Sequence, residues 1–160
     1  MLDKRALLAA LKAKVSAELE ASTRRAQDAA DAATHEENRA EGDKDMRATE
    51  ASYIARGQAE RVHELEAALA RLQSMPIKAF SAGDRIAVSA LVEVEHAGAR
   101  TLYFLVVAAG GEKLASDGRE VVTLATTSPL GRALLGLEEG DDAEVVAGGG
   151  TKSYAVVSVS

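Results

Sequence analysis

The sequence predicts an α+β protein in which a long antiparallel coiled-coil hairpin of two helices precedes a small antiparallel β-sheet domain with one short helix. Up to Met75 there is no proline and only two glycines, and the composition is dominated by residues that favour helix. After Pro76, glycine and valine-rich runs become frequent. We therefore predict an N-terminal arm at residues 1–75 and a second domain at residues 76–160.

Two apolar stripes in the first half predict the two helices of the arm. Their members recur at steps of three and four, as expected for a narrow coiled-coil seam. A short polar segment at residues 36–45, which contains Gly42, separates the stripes and predicts that the helices fold back on each other. Pro76 cannot continue the second helix. The first stripe comprises Leu8, Leu11, Val15, Leu19, Ser22, Ala26, Ala29 and Ala33, and the second comprises Ala51, Ile54, Gln58, Val62, Leu65, Leu69 and Leu72.

The second half contains short β-branched and apolar runs that predict strands at residues 85–95, 102–108, 121–125, 143–147 and 154–159. The last two runs flank Gly148-Gly149-Gly150, which predicts a hairpin turn. One helix interrupts the strands. Thr127 or Ser128 is its predicted N-cap, Pro129 occupies its first turn and Gly136 ends it.

Composition excludes several classes of function. The formal net charge of −6 argues against a protein that binds nucleic acid mainly through phosphates. The absence of cysteine excludes disulfides and thiolate sites. No apolar run is long enough for a membrane span or a secretory signal, so we expect a cytoplasmic protein, and we expect a monomer. The three histidines lack a metal-binding spacing.

The predicted turn between the helices is strongly acidic. Five carboxylates lie between His35 and Asp45, against one arginine and one lysine. Such a run is often a solvated loop, and acidic groups also favour the start of a helix, where the macrodipole is positive. A cluster placed at the turn of a long hairpin is not needed for a core, however. The alternative interpretation is that these carboxylates act on another molecule.

Two segments resemble the bacterial Gre transcript cleavage factor family. The segment Ser128–Gly136, SPLGRALLG, followed by Glu138, Gly140 and Asp141, is similar to a serine-proline helix segment of that family and to the E-V-G-D after it. Gly42-Asp43, ahead of Glu50-Ala51-Ser52-Tyr53, resembles the family's turn and second helix. The resemblance implies an FKBP-like second domain. The scarcity of aromatic residues argues against prolyl isomerase activity.

The resemblance implies a function that depends on RNA polymerase. The arm would enter the secondary channel of the polymerase, and turn carboxylates would help to hold a second Mg²⁺ that hydrolyses backtracked RNA at its 3′ end. Asp43 matches the family motif, and Glu41 and Asp45 are further candidate catalytic and Mg²⁺-binding residues. Thr127, Ser128, Pro129 and Leu130 are the implied polymerase-docking residues. The protein would not be an enzyme by itself, and would not bind nucleic acid independently.

The turn departs from the family pattern, which leaves alternatives open. The family has a glutamate three residues after its aspartate and then an asparagine, whereas this chain has Met46 and Arg47. A Gre-like protein with this change could occupy the channel and inhibit or modulate the polymerase without stimulating cleavage. A third interpretation is a structural coiled-coil adaptor with no relation to polymerase.

Overall fold

The structure is a computed structural model that describes residues 1–39 and 46–160, with the side chain of Arg39 also outside the description. Its contacts divide the chain into two compact units. One, the sheet unit, contains Met1–Lys12 with Arg71–Ser160, and the other, the arm unit, contains Ala13–Ala70. The domain boundary at Met75-Pro76 stays a prediction. In the ranges described, no helix is long and apolar enough to cross a membrane.

The two predicted helices are present. Helix α1 spans Lys4–Arg39 and helix α2 spans Met46–Gln73, and they form the predicted hairpin. Among the residues of the arm unit whose burial is described, the buried positions are Val15, Ser22, Ala33 and Leu65, each of which belongs to a predicted stripe. The buried hydroxyl of Ser22 is satisfied on its own helix, since it donates to Glu18 Oε1 at 3.2 Å and accepts from Arg25 Nη2 at 2.8 Å.

One member of the second stripe is assigned wrongly. Ile54 is 50% exposed, and its neighbour Ala55 is the half-buried residue. The spacing explains the error. From Leu72 backwards the seam alternates strictly between steps of three and four, as a heptad requires, and this alternation reaches Ala55. The larger apolar side chain of Ile54 misled the assignment.

The sheet unit contains six strands and the short helix α3. The strands are β1 Leu91–His96, β2 Ala99–Val106, β3 Lys113–Ser116, β4 Arg119–Ala125, β5 Asp142–Ala147 and β6 Gly150–Val159, and α3 spans Pro129–Leu134. Their order across the sheet is β3-β4-β2-β1-β6-β5. This architecture confirms the predicted α+β class. The sheet is mostly antiparallel, but β2 and β4 run parallel, because β3 returns the chain before β4 begins.

Two strand predictions differ from the structure. The predicted strand at 85–95 begins only at Leu91, because Ser89 has a φ of +72° and the Ile86 amide donates to Leu137 O at 2.7 Å. Strand β3 was missed. It is joined to β4 by Asp117-Gly118, whose φ angles of +49° and +74° form the two-residue turn typical of tight hairpins. The hairpin predicted at Gly148-Gly149-Gly150 is confirmed, with Ala147 paired to Gly150.

One core cluster joins α3 to the sheet. Leu134 of α3 packs with inward-facing residues from several strands, including Val94, Leu105, Ala143 and Val156. The opposite face of the sheet is also buried, since Phe104, Leu114 and Val121 are excluded from solvent. The same unit includes buried residues of both helices, Leu7, Leu8, Leu11 and Leu72, and Met75, which follows α2. Both faces of the sheet are therefore covered.

Candidate partner-docking site

The corner between β4 and α3 contains the predicted docking residues, and Ser128 organises it. Ser128 has an extended backbone and is the N-cap of α3, as predicted, whereas Thr127 is not. Its hydroxyl donates to Ala125 O at 2.7 Å and accepts from the Gly131 amide at 3.1 Å. Both roles of the hydroxyl are used within the fold, so Ser128 supports the corner rather than offering a free group to a partner.

Gly131 allows α3 to approach the end of β4 closely. A Cβ atom at this position would overlap the carbonyl oxygen of Ala125 and lie 2.9 Å from Ser128 Oγ. Because the obstacle is backbone, it cannot rotate away. The sequence analysis included Gly131 in the family-like segment without recognising this constraint. Only tertiary structure brings Ala125 against it.

Two further contacts fix the ends of the corner. The Arg132 guanidinium donates from Nε to Thr127 O at 2.8 Å, which holds the residue ahead of the cap. At the other end, Gly136 has a φ of +83°, and its amide donates to Ile86 O at 2.9 Å. The predicted helix stop at Gly136 is therefore confirmed. Arg132 was not singled out from the sequence.

The four predicted docking residues lie together but differ in exposure. Thr127 and Pro129 are exposed, whereas Ser128 and Leu130 are half-buried, and Leu130 packs against the core cluster. Leu135, at the end of α3, is 39% exposed. The side chains most available to a partner are thus Thr127 and Pro129. The docking role itself stays a prediction.

Aromatic side chains lie on the α3 face of the sheet. Tyr103 and Tyr154 are half-buried against the core cluster, and the Tyr154 ring stacks on His96 with centroids 4.5 Å apart. Burial is the main cause that raises the pKa of Tyr103, and the neighbouring Tyr154 raises it further, while a hydrogen bond with Thr101 opposes this. Tyr103 therefore stays a neutral phenol at neutral pH.

The predicted Mg²⁺ ligands Glu41, Asp43 and Asp45 lie outside the described residues. The described helices flank them, with α1 ending at Arg39 and α2 beginning at Met46. Across 1–39 and 46–160, no group of three or more His, Asp or Glu side chains could hold a metal ion. The metal site therefore stays a prediction, in which Asp43 rests on the family resemblance and Glu41 and Asp45 rest on the chemistry of carboxylates.

A groove beside Glu37, close to the end of α1, was not anticipated. It has a volume of about 330 Å³ and is lined by both helices, including Glu37, Ser52, Tyr53 and Arg56. Tyr53 is largely exposed beside Ile54. The strict heptad spacing places Tyr53 and Ile54 outside the seam. This spacing was the sequence signal that could have predicted their exposure.

Comparisons with known proteins give one consistent family. The family model described as "Transcription elongation factor, GreA/GreB, C-term" matches residues 81–160. Transcription elongation factor GreA of Methylococcus capsulatus is 34% identical over 99 residues, which cover 62% of this chain and 60% of that protein. GreA of Nitrobacter winogradskyi is 37% identical over 101 residues, with the same coverage. The chain thus matches about 60% of the length of these relatives.

A solved structure also aligns over most of the chain. GreA factor homolog 1 of Thermus thermophilus is 22% identical and superposes with a TM-score of 0.38, covering 93% of this chain and 94% of that one.

Proposed function

Because the chain belongs to the GreA/GreB family of transcription elongation factors, we propose that it acts as a Gre-like elongation factor that binds RNA polymerase. The observation that carries the proposal is the family match over residues 81–160, which takes in all six strands and α3. That range includes the whole Ser128–Gly136 segment. A structural adaptor unrelated to polymerase has no comparable support.

The docking part of the proposal rests on the α3 corner. Pro129 and Thr127 are exposed there on a frame held by Ser128 and Gly131. A rigid corner loses little conformational entropy when a partner binds, so it suits a docking role. We place the polymerase contact at residues 127–130, which are Thr127, Ser128, Pro129 and Leu130. In this proposal the side chains of Thr127 and Pro129 contact the polymerase directly.

The catalytic part rests on the acidic turn. Asp43, with Glu41 or Asp45, would supply carboxylate oxygens to an Mg²⁺ ion in the polymerase active site, and such oxygens are the ligands this hard ion prefers. When bound, the ion would activate water and stabilise charge on the RNA phosphate. In this proposal the chain contributes ligands and position, and the polymerase does the hydrolysis.

A second candidate is a Gre-like protein that occupies the channel and inhibits or modulates the polymerase. The observation that favours it is the composition of the start of α2, where Met46, 84% exposed, and Arg47 replace the family's acid and amide. Losing one carboxylate ligand weakens a site for Mg²⁺ without preventing channel entry.

The deciding experiment adds the protein to a stalled, backtracked transcription complex and follows RNA length over a range of Mg²⁺ concentrations. We expect shortened RNA with the wild type, and no stimulation with Asp43→Asn, which keeps size but loses charge. Asp28→Asn, an exposed position of α1, is the matched control. Tight binding with no cleavage by the wild type at any Mg²⁺ level would support the inhibitor instead.

Docking is tested separately by co-purification with core polymerase. Pro129→Ala should weaken the association, whereas Val146→Ala, also exposed on the sheet unit, should not. Undiminished association by residues 1–75 alone would contradict a dock at the α3 corner.

A further inference from the structure

A cleft of about 890 Å³ lies within the sheet unit and is lined by none of the residues of the α3 corner. Its walls come from the start of α1, the segment 77–80, the first residue of β1 and the β3–β4 turn. Ile77 and Phe80, both half-buried, provide apolar surface, and Leu91 lines the cleft from a buried position. A largely apolar cavity of this size with a few charged groups has the character of a small-molecule site.

The charged groups of the cleft are predominantly cationic. Asp3 is engaged as the cap of α1, where its Oδ1 accepts from the amides of Arg5 at 2.9 Å and Ala6 at 3.1 Å. The guanidinium group of Arg119 also forms an ion pair with Glu93, with 2.7 Å between Nη2 and Oε1. The cations are Lys4, Arg5, Lys78 and Arg119, and the carboxylate side chains are Asp3 and Asp117. Among the side chains that line the cleft, cations therefore outnumber carboxylates.

Lys4 is the most unusual of these groups. Its Nζ donates to the backbone carbonyl of Lys78 at 2.9 Å and lies 4.5 Å from the centroid of the Phe80 ring. Burial lowers the pKa of Lys4, and over the described part of the chain no carboxylate pairs with it. An ammonium held in place without a counter-charge is stabilised when an anion enters.

We propose that this cleft binds a nucleoside phosphate, with the phosphates at Lys4, Lys78 and Arg119 and the base against Ile77 and Phe80. Several separated cations match a multiply charged phosphate better than a single carboxylate. The apolar wall matches the flat face of a base. The site shares no residue with the α3 corner, and it does not depend on the proposed polymerase function.

The test is titration of the full chain with ADP, pyrophosphate and adenosine, followed by calorimetry and by amide chemical shifts. ADP should bind more tightly than either of its parts, and shifts should concentrate at residues 3–5, 77–80 and 117–119. Equal affinity for pyrophosphate and ADP would show that the apolar wall does not bind the base. Absence of binding at millimolar ADP, or shifts confined to other regions, would overturn the site.

Two variants separate the site from the fold. Lys4→Gln and Lys78→Gln should each weaken ADP binding about tenfold, the loss expected for one charge-assisted contact. The Lys78 side chain is exposed and its carbonyl is retained, so this variant keeps the fold even if Lys4→Gln disturbs it. Lys152→Gln, exposed on β6 and outside the cleft, should bind as the wild type does. Equal losses in all three variants would overturn the assignment.

Discussion

The arm unit and the sheet unit bury their side chains in different ways. The arm unit excludes one sparse row from solvent, of which Val15, Ser22 and Ala33 are members, and leaves most of both helices exposed. The sheet unit buries both faces of its sheet and adds backbone approaches as close as that of Gly131. Most substitutions on the arm should therefore be tolerated, while the sheet unit should respond to changes of a single methyl group.

The largest expected effect is in the sheet unit. Phe104 is fully buried, so Phe104→Ala should lower the free energy of unfolding by about 3–5 kcal/mol through lost burial and the cavity left behind. Guanidinium unfolding followed by circular dichroism measures it. Tyr53→Ala, on the exposed face of α2, is the arm-unit control. Similar losses in the two variants would break the contrast between the units.

Replacing glycine by alanine at two positions should change the stability in opposite directions. Gly131→Ala should destabilise by about 2–3 kcal/mol, because the added Cβ overlaps Ala125 O. Gly57→Ala should instead stabilise by about 0.5–1 kcal/mol, because nothing lies within 4 Å of its Cβ and alanine favours helix. Thermal melts of both variants check the pair, and a stabilised Gly131→Ala would refute the close approach.

The arm seam should give a smaller loss than the sheet core. Leu65 is 6% exposed, and Leu65→Ala should cost about 2 kcal/mol, near the lower end of such truncations, since a sparse seam can relax. Urea unfolding monitored by helix content is the measurement. A cost equal to that of Phe104→Ala would show that the arm is as tightly packed as the sheet.

The smallest effect tests the heptad register. Ile54→Gln should change stability by less than about 0.5 kcal/mol because the side chain is half exposed and off the seam. Ala55→Gln should cost more, as it adds bulk to a half-buried seam position. The same melts apply, and the reverse order would restore Ile54 to the seam.

Much of the fold could be predicted because its signals are local. Stripe spacing gave both helices, and the serine, proline and glycine around α3 gave its two ends. Strand β3 could have been found too. Asp117-Gly118 is a strong hairpin signal, but the flanking run of four residues is short and only Leu114 in it is buried.

What could not be predicted depends on residues far apart in sequence. The parallel pairing of β2 with β4, the contact of Lys4 with Phe80 and the approach of Gly131 to Ala125 arise from tertiary packing. No periodicity encodes them. Of the candidate site, the sequence predicted the docking residues as a contiguous segment. It did not predict that Ser128 is occupied internally, leaving Thr127 and Pro129 as the exposed pair.

The strand order has a consequence for synthesis on the ribosome. Strand β1 lies between β2 and β6, so Val92 pairs with Val159. These two residues are neighbours in the sheet although most of the sequence of the sheet unit separates them. The β1–β2 hairpin can form early, but one edge of β1 lacks its neighbour until β6 has been translated. Unpaired apolar edges promote aggregation. We therefore expect nascent chains that end before Gly150 to engage chaperones, and to release them once Val159 has left the exit tunnel.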